Sequence, residues 1–272
     1  MSLSTTADRI AAFETIQFDY IRQRLGCVRQ GDSPLFEHRN FGGIRAFRMT
    51  RAPDWALANT AHGYDPQAFG FAVQWYREFN LSPRFEIAAT YLDDADKQAL
   101  VESGLNYRCT HCALGCAITG IGPPPVPNGL KIQIVDADSL DPFIRTYLDA
   151  FQIETDREQA RQNLSRWLDL PEQTLVLARI KTLPVGVAVL YQEGDFGYLA
   201  TAATLPAYRG RGVHAALIGF RAALAREFGA KVLFAASHFG TTGMRNLQSA
   251  GLSILYPRLV WTQPPAAPES SD

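Results

Sequence analysis

Apolar positions recur along this chain in two rhythms, one helical and one of strands. Ile10, Phe13, Ile16, Tyr20 and Ile21 form one helical stripe, with Asp8 expected as the cap that starts it. Phe41 to Met49 alternates after a glycine turn and predicts a strand, whereas Asn59 to Pro66 is polar and reads as an irregular loop. Phe69, Val73, Tyr76 and Phe79 return to helical spacing. Arg84 to Ala89 predicts a strand, Asp93 to Ser103 a helix, and Leu105 to Ile118 a strand-rich segment. After residue 130 the order is a strand (Leu130 to Val135), helices at Asp141 to Phe151 and Arg157 to Leu168, and strands at Leu175 to Ile180, Val185 to Gln192 and Gly197 to Ala203. A helix on Leu217, Phe220, Leu224 and Phe228, a strand from Val232 to Ala236, a short helix around Asn246 and a last strand near Leu255 to Trp261 complete it.

The two halves resemble each other. Arg84-Phe85-Glu86-Ile87-Ala88-Ala89 is similar to Lys231-Val232-Leu233-Phe234-Ala235-Ala236, and the spacing from Ala89 to Gly104 equals that from Ala236 to Gly251. Arg77-Glu78-Phe79 returns as Arg226-Glu227-Phe228, and both glycines precede a leucine. Three matches in one order point to duplication. Between the halves, Gly120 to Gly129 holds consecutive prolines, which favour an extended linker. Gln263 to Asp272 is rich in Pro, Ala and Ser and reads as a disordered tail.

The segment from Thr204 to His214 carries the chemistry. It reads Thr-Leu-Pro-Ala-Tyr-Arg-Gly-Arg-Gly-Val-His and lies between a strand and a helix start. Gly210 and Gly212 allow a sharp turn. The first N–H groups of a helix have no partner within it and carry partial positive charge. With Arg209 and Arg211 beside them, they make an anion cradle sized for phosphate or pyrophosphate. A P-loop would need Lys-Ser or Lys-Thr after the glycines, and none follows. A dinucleotide fingerprint matches only through Gly210, Gly212 and Ala215, and the preceding strand does not open a βαβ unit.

Arg209, Gly212 and the Thr204-Leu205-Pro206 step resemble the GNAT acyltransferase motif, Arg/Gln-x-x-Gly-x-Gly/Ala. Asn246 on a helix ending in Ala250-Gly251-Leu252 resembles a second block of that family. His214 departs from the pattern, standing where the family keeps a small residue. The resemblance covers about the C-terminal half. It implies an α/β (α+β) fold of two tandem GNAT-like domains, each a mixed, mainly antiparallel sheet flanked by helices. Residues 1–122 would be a degenerate copy, 123–129 the linker, 130–262 the acyl-CoA-binding domain and 263–272 the tail. In the first copy the equivalent of the cradle falls at Thr60 to Asp65, with Gly63 alone and a negative Asp65.

The resemblance further implies that Ala202, Ala203, Thr204, Arg209, Gly210, Arg211, Gly212, Val213, His214 and Asn246 bind acetyl-CoA or a related acyl-CoA. The expected activity is N-acyl transfer, direct and without an acyl-enzyme, to an amine of a small molecule or peptide. The family's usual carboxylate position on the strand before the loop is Tyr198 here, and the usual acid on the Asn246 helix has no counterpart, Ser253 occupying its spacing. Tyr198 and His238 are the candidates for catalysis. Strand alternation would put Tyr198, Ala200, Ala202 and Thr204 on one face. The missing acid and base support an alternative, a non-catalytic acyl-CoA-binding or sensor protein.

Composition narrows the partners. The chain has 272 residues, is 47% hydrophobic and carries a net charge of −1, so neither nucleic acid nor an anionic membrane is an expected partner. No apolar run reaches a membrane span, and Met1 to Arg9 lacks the features of a signal peptide, so a cytoplasmic location is expected. Cys109, His111, Cys112 and Cys116 sit on one expected strand with no second ligand pair, so no metal site is expected.

Overall fold

The computed structural model describes residues 5–31, 33–122 and 126–263. The prolines at 123–125 and the tail from 264 lie outside the described residues. In chain order the elements are helix α1 (Thr6–Gly26), strands β1 (Arg29–Gln30), β2 (Ser33–Pro34), β3 (Glu37–Phe41), β4 (Ile44–Arg48) and β5 (Ala61–His62), helix α2 (Phe69–Arg77), strand β6 (Arg84–Ala88), helix α3 (Asp94–Glu102) and strand β7 (Asn106–Ala117). Then come β8 (Leu130–Ile134), α4 (Leu140–Phe151), α5 (Arg157–Ser165), β9 (Gln173–Ile180), β10 (Leu183–Glu193), β11 (Phe196–Thr204), α6 (Val213–Glu227), β12 (Val232–His238), α7 (Thr242–Ser249) and β13 (Ser253–Thr262). No described helix is long and apolar enough to cross a membrane.

The chain forms two compact units, 1–32 with 112–255 and 33–111 with 256–272. These cut across the boundaries expected at 1–122 and 130–262. The first reason is α1. Its stripe of Ile10, Phe13, Ile16, Tyr20 and Ile21 is buried as expected, and Phe13 and Tyr20 pack on Tyr198 of β11. The second reason is β13, whose Arg258–Thr262 pair antiparallel with Arg84–Ala88 of β6. Helix α1 starts one turn earlier than Asp8 suggests. Thr5 is the cap and Asp8 completes the box: each side chain accepts the other's backbone N–H.

In the first unit β8, β9, β10 and β11 are successive antiparallel neighbours, and β11 then pairs parallel with β12. The other unit repeats this plan on a smaller scale. There β3, β4 and β5 are antiparallel, β5 pairs parallel with β6, and α2 connects them as α6 connects β11 to β12. β5 lies inside the segment expected to be an irregular loop. Asn59 makes that burial possible, its amide donating to the carbonyls of Ala52, Pro53 and Trp55 and its oxygen accepting from Met49 N–H.

Strand alternation separates the two covers of the first unit's sheet. Tyr191 and Tyr198 face one another in register and touch α1. Leu190 and Leu199, the next pair, join the core built on α6, with Leu217, Ile218 and Ala222. Between the pairs Ala188↔Ala202 and Leu190↔Leu199 the register shifts, so Ala200 and Thr201 oppose Val189 alone. This is a β-bulge.

Candidate active-site cleft

The bulge decides what the end of β11 presents. Before it Tyr198 faces α1. After it Thr201 faces α1, accepting from Arg24 and hydrogen-bonded to the Tyr20 hydroxyl at 2.7 Å. Ala202 packs on the α6 side instead. Tyr198, Ala202 and Thr204 therefore do not share a face, contrary to simple alternation, because the extra residue inverts the side chains that follow it. Tyr198 is 6% exposed, and its hydroxyl accepts from Gln17 at 3.1 Å. It is a packing residue beneath α1, and Tyr198→Phe is expected to leave CoA titrations unchanged.

The pairing of β11 with β12 stops at Tyr198↔Phe234 although both strands continue. Beyond that point a cleft of about 790 Å³ opens in the first unit. Ala202, Ala203 and Thr204 line it, as do Arg209, Gly210, Gly212, Val213, His214 and Asn246. The structure thus brings together nearly every residue assigned to the cradle. Of that set only Arg211 is off the lining, its guanidinium lying over the Tyr208 ring at 5.3 Å. His238 is exposed at the end of β12 and is not on the lining either; its carbonyl accepts from Thr241.

The turn into α6 leaves donors open. Gly212 caps the helix in the left-handed region (φ 79°) and offers no side chain to its first N–H groups. Gly210 is also left-handed (φ 74°). Both positions favour glycine for this backbone. The Arg209 Nε–H turns back to the Thr204 carbonyl. The Thr204 hydroxyl is buried at the cleft and has no hydrogen-bond partner among the described residues, a cost borne unless something in the cleft satisfies it.

His214 and Asn246 were singled out separately, and the fold pairs them: Asn246 Nδ2 lies 3.0 Å from His214 Nδ1. An amide NH₂ only donates, so Nδ1 accepts and the ring proton sits on Nε2. Burial, and secondarily the charge of Arg221, pushes His214 down to about 4. At neutral pH the ring is uncharged. Thr241 caps α7 by accepting from Met244 N–H, placing Thr241, Thr242 and Gly243 on the opposite lip. Sequence reasoning passed over these residues and over Ala150 and Phe151 at the end of α4, because nothing in their local pattern marks them. No carboxylate lines the cleft among the described residues.

The other unit treats the equivalent helix start differently. The Asp65 carboxylate accepts from the backbone N–H groups of Gly43, Gln67 and Ala68. Those bonds, that of Gly43 first, hold its carboxyl below the usual range. Gly63 is left-handed, and a Cβ there would come within 2.4 Å of the Gly43 carbonyl oxygen. This turn supplies its own anion and is closed by backbone.

Residues 139–252 match the model of the acetyltransferase (GNAT) family. They form a GNAT-family domain. Comparison with curated proteins found no significant sequence match. Among solved structures, a GCN5-related N-acetyltransferase from Kribbella flavida is similar in fold, with a TM-score of 0.64 at 18% identity over 92% of this chain and 95% of its own. A tandem GNAT protein from the clavulanic acid biosynthesis pathway gives 0.59 at 14% identity, over 92% and 97%. A GCN5-related N-acetyltransferase from Sphaerobacter thermophilus gives 0.65 at 14%, over 81% and 76%. These likenesses take in both units, so the smaller one is GNAT-like in fold although the family model matches only the larger.

Proposed function

We propose that the GNAT-domain cleft binds acetyl-CoA or a related acyl-CoA and that the protein transfers the acyl group to an amine of a small molecule or peptide. The observation that carries this reading is the uncapped start of α6 beside the unpartnered Thr204 hydroxyl. A pyrophosphate would take the free N–H groups and the field of the helix start, with Arg209 adding charge. The unpaired edge of Ala202 to Thr204, the Thr204 hydroxyl and the His214–Asn246 pair would hold the polar arm that follows. The co-substrate would supply an activated thioester.

No cysteine lines the cleft among the described residues, so the amine itself would be the nucleophile. It must arrive uncharged, and the lining offers no carboxylate to take its proton. His214, neutral at working pH, is the one imidazole there. The lack of a carboxylate favours a second reading, an acyl-CoA-binding protein without turnover. A cytoplasmic location, where acyl-CoA is available, belongs to either reading.

Calorimetric titration with CoA is expected to give one site per chain, because in the turn before α2 the Asp65 carboxylate already takes the N–H groups of Gly43, Gln67 and Ala68. Two equivalent sites would overturn that assignment, and no binding at all would overturn the whole reading. Release of free CoA from acetyl-CoA across a panel of amines separates the enzyme from the sensor.

A further inference from the structure

Arg221 is among the most deeply buried side chains of the protein, at 1% exposure, in the middle of α6. Its Nε donates to the Leu217 carbonyl one turn back at 3.1 Å. Its Nη1 donates to the Val189 and Ala200 carbonyls, both at 2.9 Å. No carboxylate bonds it among the described residues. Burial depresses its basicity to about 9, the Tyr20 and Tyr198 hydroxyls opposing this weakly. A buried cation without a counter-ion is costly, and a well-packed apolar side chain would commonly serve stability as well or better.

Val189 is the lone β10 residue opposite the bulge, and Ala200 is the first of the two residues bulging from β11. A bulge disrupts the ladder and leaves backbone groups to be satisfied otherwise. One nitrogen of Arg221 donates to a carbonyl on each side of it. The bulge in turn lies between the part of β11 paired with β12 and the part, Ala202 to Thr204, that lines the cleft.

We infer that Arg221 is a positioning residue for the acyl-CoA site: by bridging the Val189 and Ala200 carbonyls it fixes the bulge, and so sets the edge of Ala202 to Thr204 that receives the pantetheine arm. This rests on the acyl-CoA reading above. Arg221 hydrogen-bonds the strand carbonyls and no group of the helix start, where its charge acts only secondarily on His214, so its effect separates by ligand. The nucleotide half of CoA needs only the turn at Arg209 to His214, whereas intact CoA also needs the edge.

The test is calorimetric titration of wild type, Arg221→Met and Arg221→Lys with CoA and with its nucleotide half lacking the pantetheine arm. In wild type CoA should bind more tightly than the nucleotide half. In Arg221→Met the CoA affinity should drop by about tenfold, the equivalent of one ordinary hydrogen bond, with nucleotide affinity unchanged. Arg221→Lys, which keeps one charge but not the fork, should recover part of the loss. Equal weakening of both ligands would reduce Arg221 to a general support of the fold, and unchanged CoA affinity would remove its role; either overturns the inference. If Arg221→Met does not fold, as read by thermal melting, the same comparison on the Lys variant decides it. Wild type binding neither ligand would overturn the acyl-CoA reading itself, and this inference with it.

Discussion

Gly212→Asp should abolish useful CoA binding. Three effects act together at this position. An aspartate at φ 79° is strained, by roughly 1–3 kcal/mol. Its Cβ would lie 3.1 Å from Pro127 Cγ, so the neighbouring segment would have to give. Its carboxylate would sit at the start of α6 and accept the same N–H groups that a pyrophosphate needs, much as the Asp65 carboxylate takes the N–H groups of the turn before α2. Losing two charge-assisted hydrogen bonds at the low end of their range costs about 3 kcal/mol, or about a hundredfold in affinity. Gly212→Ala carries the strain without the charge and should lose less. Calorimetry on both variants checks this, with melting curves to show that the protein is folded. CoA binding by the Asp variant at wild-type affinity would mean that the loop is only a turn.

The glycine turn into α6 was legible in the sequence because its signals are local. Two glycines, two arginines and the following helical period lie within one short run, and backbone physics turns that run into open donors. The tandem plan was legible from repeated strand and helix ends such as Arg84 to Ala89 and Lys231 to Ala236. What was not legible depends on pairing between distant residues. The bulge at Ala200–Thr201 has no glycine or proline to announce it; only the registers of Ala202 and Leu199 against β10 reveal it. Tyr198 therefore does not share a face with Ala202 and Thr204, since one extra residue in a strand inverts every side chain beyond it. Arg221 reads in sequence as an ordinary helical arginine, and nothing short of the fold shows that it ends on two strand carbonyls. The closure of each unit by a remote segment, α1 on β11 and β13 on β6, is likewise set by long-range burial.

In the smaller unit, Glu86→Gln should cost on the order of 3 kcal/mol or more. Glu86 is buried on β6, with Arg258 Nη1 at 3.3 Å, His111 Nδ1 at 3.2 Å and Arg84 Nη2 at 3.4 Å. Arg258 is itself 1% exposed and belongs to the returning strand β13. Removing the carboxylate takes a counter-charge away from that buried guanidinium, the costly way to break a buried pair. The loss should appear as a lower melting temperature and faster amide exchange in β6 and β13. The same cluster predicts acid lability, with a definite order. His62 pairs in register with Glu86, and burial holds its ring down to about 4, so the fold keeps it neutral. Its contribution is fully present above the ordinary histidine range near ~6.5 and is lost as pH falls towards 4, by roughly 3 kcal/mol in all. Glu86 is held well below the usual carboxylate range, its neighbour Arg258 and the bond from His111 outweighing burial. Its contribution is present above ~4.3 and is lost only at lower pH. Stability of this unit should therefore fall between pH 6.5 and 4 through His62 and continue to fall below that through Glu86. Denaturant titrations read by exchange in β5 and β6 should show that fall in wild type, and His62→Gln should flatten the upper part of it. A stability that stays level from pH 7 to 4 would mean that His62 is hydrated in solution and that the cluster is open.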